Sequence, residues 1–209
     1  MAVPARHWDA VYAAKATDDV SWFQADPVVS LRLLAKWASP SGSVVDIGAG
    51  TSTLVDSLLD KGWTDVTVLD VSEQALNKVR DRLGSRAGAV RIVAGDVRSW
   101  RPSRTFDAWH DRATFHFLVD GPDRDGYVAL AGAAVAPGGV VVLATFAADG
   151  PTACSGLPTA RYDADELSRL FSPAFVLEHA EREEHTTPWG AGQWFTWVVL
   201  RRTPGRGAS

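Results

Sequence analysis

Between residues 43 and 201 the chain alternates short apolar runs with stretches whose apolar residues return every three or four positions. Residues 43–47 (SVVDI) form a β-branched run that stops at Gly48-Ala49-Gly50, and Leu54, Val55, Leu58 and Leu59 then recur at helical spacing. Residues 65–70 (DVTVLD) predict a second strand, followed by a helix capped at Ser72 with Ala75, Leu76, Val79 and Leu83 on one face. A third strand is predicted over 89–94 (AVRIVA), ending at Gly95-Asp96. The fourth lies over 105–109 (TFDAW), with His110-Asp111-Arg112 immediately beyond. A helix over about 123–135 leads through Pro137-Gly138-Gly139 into an apolar strand at 140–146. Strands alternating with helices predict an α/β fold whose parallel sheet is covered on both faces.

After Gly150 the rhythm changes. A loop (PTACSGLPTARY) and a short helix capped by Asp163 precede two strands, 175–181 and 193–201, with no helix between them. They predict an antiparallel pair at the sheet edge and bring the total to seven strands. Upstream of residue 43 lie two helices, about 5–16 and 27–37, whose neighbourhood is rich in aromatics (Trp8, Tyr12, Trp22, Phe23). They predict a helical cover, residues 1–40, over a core spanning 43–202. With no repeat and no linker-like block, 1–202 reads as one domain, and 203–209 (TPGRGAS) as a frayed tail.

Composition narrows the function. Lys plus Arg number 21 against 25 Asp plus Glu in 209 residues, a net charge of −4, the wrong sign for a general phosphate grip, so nucleic acid is not an expected partner. The single cysteine, Cys154, excludes an intrachain disulfide and leaves no cluster for a structural zinc, so no metal is expected. No leader pattern opens the chain, and the most apolar run, 140–148, is far short of the ~20 residues of a membrane helix. A cytoplasmic protein with no membrane partner is expected.

In an open parallel sheet, ligands bind beyond the carboxyl ends of the strands where strand order reverses. The ends here carry Asp46 with Gly48 and Gly50, then Asp70, then Asp96, then His110 with Asp111. Glycines let backbone approach a ligand, the next helix points its N-terminus at it, and Asp70 is placed to accept hydrogen bonds from a ribose diol. A dinucleotide fingerprint, G-x-G-x-x-G, would need glycine where Thr53 stands, which argues against an NAD-linked oxidoreductase.

Residues 44–52 (VVDIGAGTS), 68–71 (VLDV) and Gly95-Asp96-Val97, with Pro137-Gly138-Gly139, resemble the class I S-adenosylmethionine-dependent methyltransferases over about residues 43–200. The resemblance implies a Rossmann-like, doubly wound seven-stranded sheet, mostly parallel with an antiparallel edge strand. It implies that Asp46, Gly48, Ala49 and Gly50 surround the methionine part of the donor, Asp70 and Val71 the ribose, Asp96 and Val97 the adenine, and that His110 lies beside the methyl group. Ser52 stands where many members have a third glycine, and a serine there can still cap the helix. A finer resemblance is to bacterial methyltransferases of unassigned substrate carrying HDRxxFHFL (110–118) and CSGLxxxRY (154–162). The opening Trp8-Asp9-x-x-Tyr12 with Trp22-Phe23 is similar to that of some protein-lysine methyltransferases.

Methyl transfer from a sulfonium gains chiefly from alignment, and a base is needed only when the acceptor arrives protonated. His110 and Asp111 are the base candidates, His110 alternatively serving only to position cofactor. Arg112 either pairs with Asp111 or binds an acidic substrate, and His116 reads first as a core histidine. Cys154 is a small buried hydrophobe or a thiolate for a soft or thiol acceptor. Arg161, Tyr162 and His185 are candidates to close over the same pocket, and Trp8, Trp22 and Phe23 to wall it. The expected acceptor is a small molecule, with a protein lysine second and a non-catalytic donor-binding module as the reading from another class. Asp70→Ala is expected to weaken donor binding with little loss of stability.

Overall fold

Each apolar run becomes a strand and each helical-period stretch a helix in a computed structural model that describes residues 5–204. Two helices come first, α1 (Ala5–Ala14) and α2 (Val28–Trp37). β1 (Ser43–Ile47) leads to α3 (Leu54–Asp60), β2 (Asp65–Asp70) to α4 (Glu73–Leu83), and a 3₁₀ turn to β3 (Val90–Ala94). β4 (Phe106–Arg112), a second 3₁₀ turn at Phe115–Phe117, α5 (Gly121–Ala134) and β5 (Val135–Phe146) follow. A two-residue hairpin, β6 (Ala153–Cys154) with β7 (Leu157–Pro158), precedes α6 (Ala164–Phe171), β8 (Phe175–Thr186) and β9 (Gly192–Arg202).

The main sheet runs β3-β2-β1-β4-β5-β9-β8. All pairs from β3 to β5 are parallel, whereas β9 is antiparallel to both β5 and β8. The expected antiparallel pair lies at the sheet edge, with β8 outermost and β9 between it and β5. Strand order reverses between β1 and β4, which puts the switch point at their carboxyl ends.

The two-residue period of the strands divides the core. Val44, Ala108, Val140 and Val142 face Leu33, Leu34, Leu54, Leu58 and Leu76 of α2, α3 and α4. Val45, Ile47, Trp109, Val141 and Leu143 face Tyr127 and Leu130 of α5 and Leu167 and Phe171 of α6. Burying one such large aliphatic side chain is worth about 1.5–3 kcal/mol, which is why the apolar pattern was so readable. Ser72 caps α4 by accepting from the Ala75 amide at 3.2 Å, and Asp163 with Glu166 closes a reciprocal capping box on α6.

Two local readings change. β4 continues to Arg112 because His110 and Asp111 sit in register between Asp46 and Ile47 of β1 and Val142 and Leu143 of β5, so both belong to the sheet rather than to a loop beyond it. Within β9, Trp194 is 39% exposed with Arg182 stacked on it at 4.7 Å, while Trp197 is fully buried. The amide and hydroxyl of Thr203, the first residue of the expected tail, both donate to the carbonyl of Ala174 at 3.0 Å. Residues 205–209 and the opening residues 1–4 lie outside the described residues.

Candidate functional site

Above the carboxyl ends of β1, β2, β3 and β4 lies a cavity holding about 1000 Å³ of atom-free space. Gly48, Asp70, Val71, Asp96 and Val97 line it, gathered from three separate strand ends. A second, adjoining cavity of about 520 Å³ lies under the cover and is lined by Asp46, Ala49, Ser52 and His110. Gly48, Trp22 and Arg112 line both, so the two are neighbouring compartments of one cleft.

The glycine turn is shaped by two left-handed residues, Gly48 at φ +63° and Gly50 at φ +52°. A Cβ on Gly48 would lie 1.8 Å from Thr114 Oγ1, and one on Gly50 2.3 Å from the Tyr12 hydroxyl. Only glycine permits both the backbone conformation and this approach. Ser52 Oγ accepts from the Leu54 amide at 3.1 Å, so the serine in the third-glycine position serves the start of α3. Asp70 accepts from the Gly50 and Ser72 amides, each at 2.7 Å, and thereby locks the glycine turn to the end of β2. Burial pushes its carboxyl up to about 6, against the downward pull of those two bonds. The expectation that Asp70→Ala spares stability is corrected by this geometry. The carboxylate is 6% exposed and satisfies two backbone donors that alanine would leave unpaired, at about 1–3 kcal/mol each.

The Asp96 carboxylate chelates Arg98, whose guanidinium also reaches Asp123 at 3.3 Å. The hydrogen bond from Arg98 holds the Asp96 carboxyl below its ordinary range. The cavity wall at this strand end is thus an ion pair, not a free acid.

The base candidates are committed to the scaffold. His110 is 2% exposed, with Nδ1 on Asp46 Oδ1 at 2.7 Å and Nε2 on Ser30 Oγ at 3.0 Å, a chain that ties β1 and β4 to α2. Asp111 is buried outright on the opposite face. It accepts from Thr114 N at 2.8 Å, Phe115 N at 3.1 Å and the Tyr127 hydroxyl at 2.5 Å, and lines neither cavity. The base role for Asp111 is withdrawn for that reason. The anticipated Arg112–Asp111 ion pair is also absent among the described residues, because successive strand residues point to opposite faces.

The cover is anchored at several points. Asp9 accepts from Ser72 Oγ at 2.7 Å, and Lys78 donates to the carbonyls of Tyr12 and Lys15 at 2.6 and 2.9 Å. His185 Nε2 meets the Ser21 carbonyl at 2.7 Å and Arg112 donates to the Trp22 carbonyl at 2.9 Å. Trp8 packs against Trp22 and Phe117 with centroids 5.8 and 5.2 Å away, forming an aromatic wall of the larger cavity. Of the acceptor-side candidates, Trp8, Trp22, Arg112, His116 and Cys154 line that cavity and Phe23 lines the smaller one. Arg161, Tyr162 and His185 line neither: Arg161 is exposed, Tyr162 packs on Phe115 in the core, and His185 braces the cover. Tyr12, Arg98, Thr114, Phe117, Gln193 and Phe195 line the larger cavity without having been singled out as site residues. Of these, Tyr12 and Phe117 stand inside quoted motifs, and an arginine two residues after a strand-end acid was a readable hint.

Residues 44–139 match the family model described as a methyltransferase domain. Among curated proteins, the eEF1A lysine and N-terminal methyltransferase of Mus musculus is 25% identical over 116 residues, 55% of this chain and 16% of that protein. The protein of the same name from Bos taurus is 23% identical over 114 residues, 54% of this chain and 16% of that protein, so the matched stretch is a small part of either relative. Solved structures match over nearly the whole chain. One, from work on the conversion of a disulfide bond into a thioacetal group during echinomycin biosynthesis, has a TM-score of 0.76 at 21% identity, covering 95% of this chain and 93% of that one. The Burkholderia thailandensis 1,6-didemethyltoxoflavin-N1-methyltransferase, solved with 1,6-didemethyltoxoflavin and S-adenosylhomocysteine, has a TM-score of 0.73 at 22% identity over 98% and 92%. The N-methyltransferase NodS of Bradyrhizobium japonicum has a TM-score of 0.72 at 16% identity over 95% and 100%. The fold is the Rossmann-like fold seen in class I methyltransferases, and the segment from β1 into β5 is the part that is similar to a methyltransferase domain.

Proposed function

We propose that this chain is an S-adenosylmethionine-dependent methyltransferase acting on a small molecule held under the N-terminal cover. The observation that carries the reading is the convergence of Gly48, Asp70, Val71, Asp96 and Val97, distant in sequence, on one cavity whose other wall is aromatic. When bound, the donor supplies an electrophilic methyl group. The chain's own residues hold and orient: Asp70 retains unused lone pairs for ribose hydroxyls, Gly48 and Gly50 present bare backbone to the methionine part, and Asp46 offers its second oxygen to an ammonium. Val71, Val97 and the Arg98–Asp96 pair frame the adenine. His110 positions Asp46 rather than abstracting a proton, since both its ring nitrogens are engaged. Trp8, Trp22 and Phe117 exclude water from the acceptor side, so catalysis rests on alignment, which alone supplies up to about 7–11 kcal/mol.

A protein-lysine acceptor is the second reading, favoured by the likeness to the eEF1A methyltransferases. Turnover on small amines, acids or thiols but not on unfolded or folded protein substrates separates the two.

Calorimetry with S-adenosylhomocysteine tests the assignment. Asp70→Ala is expected to weaken binding at least tenfold, the loss of one or two charged hydrogen bonds of about 1.5–3 kcal/mol each. Asp70→Asn should keep more of the fold while still losing affinity. Because the free carboxyl titrates near 6 and the bound form requires it ionised, wild-type affinity should fall as pH drops below 6, by up to about tenfold per unit. Unchanged affinity in both variants, with no pH dependence, removes the assignment of the ribose site.

A further inference from the structure

One cation in the cleft, Arg112, has no ion-pair partner among the described residues. Arg112, at the end of β4, lines both cavities and spends only Nη1, on the Trp22 carbonyl at 2.9 Å. Its Nε and Nη2 are sealed from solvent and have no partner among the described residues. These two atoms form the lateral edge of the guanidinium, the planar fork that matches a carboxylate with two parallel hydrogen bonds. The carboxylates whose charge it feels are committed elsewhere. Asp46 holds His110, while Glu183 accepts from Trp197 Nε1 at 2.7 Å and Gln24 at 3.2 Å. Burial pushes the Cys154 thiol up, so that side chain stays neutral near pH 7 and supplies no counter-ion either.

A second orphan donor lines the same cavity. His116 is buried and its Nδ1 accepts from the Phe146 amide at 3.3 Å, which puts the ring proton on Nε2, an atom with no partner. Burial, reinforced by the charge of Arg112, lowers its pKa to about 3, so the ring is a neutral donor throughout the physiological range. The surrounding wall is apolar and aromatic: Phe146 stacks on His116 at 4.5 Å, and Phe195 lies under the Arg112 guanidinium at 5.0 Å. A buried unpaired guanidinium is expensive to keep unless an anion answers it.

We propose that the acceptor of this methyltransferase carries a carboxylate, on an aromatic or otherwise flat apolar body, read by the lateral edge of Arg112 and by His116 Nε2. The guanidinium turns from the wall into the cavity it already lines to meet it. The inference rests on the donor-site reading above.

The test uses the full chain with benzoate as probe and benzamide, its uncharged match, as control, with and without saturating S-adenosylhomocysteine. Benzoate is expected to bind at least tenfold more tightly than benzamide to the wild type. Arg112→Lys, which keeps charge but loses the fork, and Arg112→Met, which removes an unpaired buried charge and so should fold, are each expected to abolish that preference. His116→Phe should reduce it several-fold. Equal binding of benzoate and benzamide to a wild type that binds S-adenosylhomocysteine overturns the carboxylate site alone, whereas failure to bind S-adenosylhomocysteine overturns the donor-site reading. A donor arm settles whose carboxylate is read. If Arg112→Lys weakens S-adenosylhomocysteine tenfold but leaves 5′-methylthioadenosine, which lacks a carboxylate, unaffected, the fork serves the donor and the proposal fails.

Discussion

Gly48→Ala is expected to abolish measurable S-adenosylhomocysteine binding and to cost about 2–3 kcal/mol of stability. Two independent effects add. An L-residue at φ +63° pays the left-handed penalty of about 1–2 kcal/mol. The new methyl also lies 1.8 Å from Thr114 Oγ1, which must leave its hydrogen bond to the Ile47 carbonyl at 3.1 Å. Loss of that bond is worth roughly 1 kcal/mol more. Because Gly48 and Thr114 both line the larger cavity, the displacement is felt at the donor site itself. Denaturant titration and calorimetry read the two effects separately. The double variant Gly48→Ala/Thr114→Ala removes the clashing oxygen but not the backbone penalty, so it should recover about 1 kcal/mol relative to Gly48→Ala. Wild-type affinity in Gly48→Ala would show that donor does not approach this backbone.

The central strands were legible because they are buried on both faces and so appear as β-branched runs closed by glycine or acid, as in SVVDI and DVTVLD. The caps at Ser72 and Asp163 were legible for an equally local reason, a side-chain oxygen beside the first turn. The end of β4 was not. Apolar patterning stops at Trp109, but pairing with β1 and β5 carries the strand on to Arg112, and that tertiary pairing buries His110 and Asp111. Both looked like strand-end catalysts for the same reason that they are scaffold: polar residues in a sheet interior need partners, and theirs are Ser30 and Tyr127, remote in sequence. Asp96 illustrates the converse, since its partner Arg98 is only two residues away in sequence. The free edge of Arg112 lay beyond any sequence reading, because it is defined by which groups do not reach it.

Asp111→Ala is expected to destabilise the fold by about 3 kcal/mol at neutral pH while leaving the donor affinity of the folded fraction near wild type. The substitution orphans Thr114 N, Phe115 N and the Tyr127 hydroxyl, which itself accepts from Trp109 Nε1 at 2.8 Å. Each buried group left unpaired costs about 1–3 kcal/mol, and the sum is reduced because the carboxylate itself is costly to bury. Burial pushes the Asp111 carboxyl up to about 7 from its ordinary 3.8, although the Tyr127 and Thr114 bonds oppose the rise. With the folded pKa raised, the folded state binds more protons than the unfolded one between about pH 4 and 7. Wild-type stability should therefore climb as pH falls from 8 toward 6.5, with a slope that approaches but does not exceed about 1.4 kcal/mol per unit. Below 6.5 the climb flattens, because His116 and His185, both held neutral by burial, lose stability as the unfolded chain protonates. The limb between pH 8 and 6.5 should vanish in Asp111→Ala and in Asp111→Asn. A group acting as a catalytic base gives the opposite signature, intact stability with collapsed turnover, and that result would return Asp111 to the reaction centre.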